Sequence, residues 1–334
     1  MNELSPEDAL RLNVLLAGEL LAVRIDEGAR TLYALTPKGE ARIPLNPVGR
    51  AERYFQRVRE LLGGHALGSP GGYPVHLRRW TRMGQTSQAK LEALLKLGAT
   101  EAVMAVAYAP ELTDELARRA WWALPTMEIA RAMLVQPAVR SGTMGRVLAE
   151  YLIEHLPFEE DPIAAMQTVR AVLSAGLIAP ETCDQLWAKG KRRPHYLIGF
   201  LENLPDELPP EAPRDLPEVL PYTPAARLLA RCYSGAGQSY LKTAELTLEK
   251  PPAHESVYLL LDLLGRYFAP GREASALPVP PAEVAALEAL GRLSNADAAP
   301  ILTKTTAIGP LMRRHLEPLF APIIAHIRVL RGLS

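Results

Sequence analysis

Met144-Gly145-Arg146-Val147-Leu148-Ala149-Glu150-Tyr151-Leu152 decides the fold class of this chain. Met144, Val147, Leu148, Tyr151 and Leu152 stand at offsets of three, four, seven and eight, which places all five on one stripe of an α-helix. Shorter stripes of the same period recur on either side. They are Leu91, Leu94 and Leu95; Leu116, Ala120, Trp121 and Leu124; Ile163, Met166, Val169 and Val172; Cys183, Leu186 and Trp187; and Tyr196, Leu197, Phe200 and Leu201. Helix-start signals separate them at Thr113-Asp114, Pro125-Thr126, Asp161-Pro162, Ala179-Pro180 and Arg193-Pro194. Taken in pairs these are helical hairpins of similar length without a repeated consensus. They predict a mainly α chain built as an irregular α-solenoid or helical-hairpin array over residues 86–204, with a single compact bundle as the competing arrangement.

Toward the N-terminus the period changes from helical to alternating. Residues 21–25, 31–35 and 40–45 read as three short strands, joined by turns at Asp26-Glu27-Gly28 and Pro37-Lys38-Gly39. Such a small antiparallel β-meander needs a helix on one face. The natural cover is the segment from Arg50 to Leu62, with Tyr54, Val58, Leu61 and Leu62 on one face; ahead of the strands a short first helix starts at Ser5 and Pro6, with Asp8 completing a capping box. From Gly63 to Gly84 the glycines and prolines predict a loop, so that residues 1–85 form a small α+β cap with a Gly-rich loop.

Toward the C-terminus, Pro205, Pro209, Pro210, Pro213, Pro217, Pro221 and Pro224 predict a stiff Pro-rich linker over 205–224. It carries Asp206, Glu207, Glu211, Asp215 and Glu218. Stripes resume at Leu228, Leu229 and Cys232, at Val257, Leu260, Leu261 and Leu264, and at Val284 and Leu287, which makes 225–334 a C-terminal helical unit.

Of 334 residues 48% are hydrophobic, enough for a core and against disorder; Lys+Arg and Asp+Glu are both 37, so no global field draws the chain to nucleic acid or an anionic membrane. Two cysteines are too few for a disulfide scaffold and fit a reducing cytoplasm. The acidic opening Met1 to Asp8 lacks the basic stretch of a secretory signal, and every apolar run stops short of a membrane span, so no membrane insertion is expected.

The residues give no support to catalysis, and no catalytic group is assigned. The loop from Gly63 to Gly72 lacks the Gly-Lys-Ser/Thr ending of a phosphate-binding loop, and the seven histidines show no metal-ligand spacing, so neither cofactor nor metal is expected. Cys183 and Cys232 each lie on an apolar stripe and read as inert; only Lys189, Lys191 and Arg192 near Cys183 argue for a reactive thiol. Two basic and aromatic clusters are the candidate partner-binding residues: Arg78, Arg79, Trp80 and Arg82, and Trp187 with Lys191, Arg192 and Arg193. Each offers cations to phosphates or to an acidic protein face, with a tryptophan as anchor; the simpler reading of the second is a helix end whose dipole favours cations.

Residues 67–75 (Leu-Gly-Ser-Pro-Gly-Gly-Tyr-Pro-Val), 79–85 (Arg-Trp-Thr-Arg-Met-Gly-Gln) and 112–122 (Leu-Thr-Asp-Glu-Leu-Ala-Arg-Arg-Ala-Trp-Trp) carry a resemblance. The chain resembles the DsrS family, soluble cytoplasmic proteins associated with the reverse dissimilatory sulfite reductase system of sulfur-oxidising bacteria. The resemblance runs from the first helix to about the proline-rich stretch, including Leu177 to Pro209, and transfers a pathway and a compartment but no active-site residue. It implies a cytoplasmic, non-catalytic accessory or regulatory protein that contacts a protein of the sulfur-oxidation machinery. A nucleic-acid-binding regulator would need both basic clusters on one face, and a thiol-based sulfur carrier or transferase would need an exposed cysteine.

Overall fold

In a computed structural model, the described residues are 4–47, 49–67 and 87–333. They are mainly helical, with one three-stranded antiparallel sheet of order β1 (Ala22–Asp26), β2 (Thr31–Thr36) and β3 (Gly39–Pro44). Ala22 stands opposite Leu35 and Thr36 opposite Gly39, within a residue of the strand bounds that alternation predicts. Gly39 takes a φ of 115°, a conformation that suits glycine and closes the tight second turn. Packing divides the chain into two compact units, Met1–Leu152 and Ile153–Ser334, a boundary that falls in the last turn of the helix Thr143–His155.

In the first unit, β1 and β2 turn Val23, Leu32 and Ala34 onto the helices Pro6–Leu16 and Ala51–Leu67, which bury Leu12, Leu16, Tyr54, Phe55, Val58 and Leu62 against them. The second of these helices runs on to Leu67, through Gly63 and Gly64, where loss of period predicted a loop; Gly63 continues the buried face of Val58 and Leu62. The rest of the predicted loop lies outside the described residues. Asp8 does more than cap. The Ser5 hydroxyl accepts from the Asp8 amide at 3.1 Å, but the buried Asp8 carboxylate accepts from the Asn46 amide and side chain, both at 3.0 Å, and from the Tyr54 hydroxyl at 2.5 Å. One carboxylate thus ties the first helix, the exit of β3 and the covering helix together.

The helices that follow begin where the sequence signals them. Thr113, Thr126 and Asp161 each accept a hydrogen bond from the first-turn amides of Asp114–Ala123, Met127–Leu134 and Pro162–Ala175. Helices from Gln88 to Leu134 pack on their neighbours in sequence, as hairpins do. Of the pair Trp121-Trp122, Trp121 meets Tyr151 edge-on at 4.7 Å, while Trp122 reaches the sheet, donating to Glu40 at 3.1 Å beneath the Arg24 guanidinium.

The second unit closes on itself. Its C-terminal helix Gly309–Leu330 packs against both Gly235–Glu249 and Pro281–Gly291. The stretch between Asn203 and Pro224 has no regular secondary structure, as its prolines predict, but it does not separate two bodies. It is a strap fastened along this unit: Leu208 is buried, the Glu211 and Arg214 amides donate to Gly235 and Tyr233 carbonyls, and Arg214 donates to the Leu330 carbonyl at 2.9 Å and to Glu283 at 2.8 Å. Two of its carboxylates are engaged as well: Asp206 pairs with Arg231 and Glu211 with Lys242.

Candidate functional site

In the second unit the helix Pro180–Gly190 carries Thr182, Gln185, Leu186 and Lys189 at offsets of three, four and seven, so that all four share one face. The helix stops because Pro194 follows, and the chain turns through Lys191, Arg192 and Arg193 into the next helix, Pro194–Asn203. A groove of about 340 Å³ opens between that face and residues Ile153, Leu156 and Pro157, with Arg192, Arg193 and Tyr196 completing its wall. Ile153, Leu156, Pro157 and Leu186 give its lining apolar surface, Lys189, Arg192 and Arg193 give it three cations, and no carboxylate lines it. Arg193 donates to the Tyr196 hydroxyl at 3.0 Å, which fixes one of the three cations. Lys189 and Arg192 have no ion-pair partner among the described residues.

Of the residues singled out in the sequence, Arg192 and Arg193 therefore meet in the groove. Lys191 is exposed but does not line it. Trp187 is half-buried in the hairpin, edge-on to Phe200 at 5.2 Å, and does not line the groove. Arg78, Arg79, Trp80 and Arg82 lie outside the described residues. Lys189, Thr182, Gln185 and the apolar wall were not singled out as a site, although the helical offsets from Thr182 to Lys189 carry the signal. Asp206 and Glu211 of the strap are held by Arg231 and Lys242 and form no ion pair with this cluster.

Next to the groove, His195 is half-buried against the Tyr196 ring; burial and then the Arg193 charge hold its pKa down at about 4, so it is neutral at physiological pH. The thiols face the opposite penalty. Cys232 is fully buried, and burial pushes its pKa up to about 12. Cys183 is half-buried, and its pKa is raised by burial and by the Asp184 and Glu207 carboxylates. The lysines and arginine near it in sequence do not supply the thiolate-stabilising field they suggested.

No protein-family model, curated protein or solved structure matches the chain. Among the described residues no group of three His, Cys, Asp or Glu could hold a metal ion, and no helix is long and apolar enough to cross a membrane. The groove's own chemistry is what indicates a function. Three cations beside apolar side chains suit a ligand that is both anionic and partly apolar.

Proposed function

We propose that the protein works by binding, as a non-catalytic accessory or regulatory protein, and that the groove at Lys189, Arg192 and Arg193 receives an acidic, partly apolar segment of a protein partner. The observation that carries this reading is the convergence of three cations on a half-apolar groove with no carboxylate to neutralise them. A chain with 37 charges of each sign has enough acidic side chains to cancel such a cluster, so leaving it open favours a partner that supplies the anion. The resemblance to the DsrS family adds the setting, cytoplasmic sulfur oxidation, and makes a protein of that machinery the partner.

Nucleic acid competes for the same cations, but the apolar side chains of Ile153, Leu156, Pro157 and Leu186 in the lining favour a peptide over a phosphate backbone. Sulfur transfer through a thiol is disfavoured because both thiols are held protonated. The test is a competition measured by fluorescence anisotropy on the full chain, between a labelled acidic peptide bearing one aromatic residue and a single-stranded RNA of equal charge. The peptide should bind and RNA should displace it only at large excess. Tighter binding of RNA, or no binding of the peptide, would overturn the reading.

A further inference from the structure

The strap that precedes the helix Pro224–Tyr233 is exposed with a period of three. Arg214, Pro217, Leu220 and Thr223 are half-buried, whereas Leu216, Val219 and Tyr222 are exposed, Val219 to 77% and Tyr222 to 95%. Pro221 is half-buried as well; Pro213, Pro217 and Pro221 each fix their own φ and cannot donate a backbone hydrogen bond, and the chain bends at Glu218 and again at Tyr222 and Thr223. Single exposed apolar side chains are ordinary on a protein surface. Here three of them recur at every third residue, and Asp215 and Glu218, each immediately before one of them, have no ion-pair partner among the described residues.

Both ends of this segment are pinned. Arg214 is bonded to Leu330 and Glu283, and the Thr223 hydroxyl caps the following helix by accepting from the Ala226 amide at 3.2 Å. An ordered ridge loses little conformational entropy when it docks. Its composition, apolar side chains alternating with two carboxylates, is the complement of the basic groove in the same unit, which offers Lys189, Arg192 and Arg193 beside Ile153, Leu156, Pro157 and Leu186. No residue of the strap lines that groove, so the ridge does not fill the groove of its own chain. A formal net charge of zero leaves no long-range repulsion between copies.

We infer that a second copy of this chain is one occupant of the groove: the ridge 215–222 of one molecule docks in the basic groove of another, with Asp215 and Glu218 facing Lys189, Arg192 and Arg193. This rests on the groove being a site for acidic segments. The contact masks the groove until a partner with a better segment displaces the ridge. One segment in one groove is a small interface, so association is weak, on the order of 10 µM to 1 mM, and electrostatic enough to fall with salt.

Sedimentation velocity of the full chain over that concentration range tests it, with Asp215→Lys/Glu218→Lys as the ridge variant and Arg192→Glu/Arg193→Glu as the groove variant. The wild type should self-associate. Each charge-reversed variant alone should associate at least tenfold more weakly, and an equimolar mixture of the two should regain association, since each then carries the complement of the other. Tyr222→Ser, at a position too exposed to affect folding, should weaken wild-type association as well. A wild type that stays monomeric, variants that associate as the wild type does, or a mixture that fails to recover would each overturn the inference. Acidic-peptide binding by the ridge variant separates the two ideas: if it persists while the wild type is monomeric, only the self-docking falls, and if the wild type binds no acidic peptide, both fall.

Discussion

Asp8 shows how one side chain carries more than its sequence position announces. At N3 of the first helix it reads as a local cap, yet its carboxylate is buried and accepts from Asn46 and Tyr54 across the cap of the first unit. Burial opposes its charge, but the bonds from Tyr54, Asn46 and Ser5 together hold its pKa below the ordinary value. A depressed folded-state pKa means stability that is present above the unfolded value near 4 and is lost as pH falls through the lower folded value. Asp8→Asn should therefore cost about 1–3 kcal/mol at pH 7, because the Asn46 amide and Tyr54 hydroxyl lose a charged acceptor, and the difference from wild type should shrink below pH 4 in urea melts. At the two cysteines, raised pKa values predict slow chemistry. A thiol reagent at pH 7.5 should modify Cys232 only on unfolding and Cys183 slowly, followed by mass spectrometry with and without denaturant. Rapid stoichiometric labelling of Cys183 in the native protein would favour the sulfur-carrier reading.

Strands and most helices were legible because their pattern is local. Alternation marked β1 to β3, and Thr113, Thr126 and Asp161 marked helix starts through bonds they make to their own next turn. Among the helices that were not legible, two long ones escaped for different physical reasons. Gly235–Glu249 is buried nearly all round, so it has no apolar stripe; Gln238, Thr243, Glu245 and Thr247 are buried in it, with Gln238 donating to the Cys232 carbonyl at 2.9 Å and Glu245 accepting from Arg328 at 2.6 Å. Gln238 also donates to the Leu330 carbonyl at 3.2 Å, and Leu330 and Arg328 lie far away in sequence. Gly309–Leu330 contains Pro318 and Pro322, which argue against a helix. Its buried stripe of Met312, Leu316, Phe320, Ile323, Ile327 and Leu330 outweighs them, and both prolines face solvent, where water satisfies the carbonyls left unbonded. Pro318→Ala should accordingly stabilise the protein by about 1–3 kcal/mol, seen as a higher Tm, because it restores a helical hydrogen bond at an exposed position. Helical spacing from Thr182 to Lys189 made the face of the candidate groove readable, but the wall at Ile153, Leu156 and Pro157 depends on tertiary packing that no local pattern encodes.

For the whole molecule the proline-rich strap is the main departure from a sequence reading. Proline density correctly excludes helix and strand there, but only the partners of Arg214, at Leu330, Glu283 and the face of the Tyr233 ring, show that the segment is fastened down and closes the second unit. Glu283 is buried and also accepts from the Tyr233 hydroxyl. Arg214→Ala leaves that carboxylate without its cation and should destabilise the second unit by about 3–5 kcal/mol, whereas Arg227→Ala on the exposed side should change stability by about 0.5 kcal/mol or less, both read by chemical denaturation. The function proposed for this scaffold rests on the open charges of the groove. The most direct measurement is calorimetric titration of the full chain with an acidic peptide, comparing wild type with Lys189→Glu/Arg192→Glu/Arg193→Glu at low and high salt. Binding to the wild type that weakens with salt, and at least a tenfold loss (about 1.4 kcal/mol) in a variant whose Tm is unchanged, is the predicted result. Equal affinity for the wild type and the charge-reversed variant would contradict it.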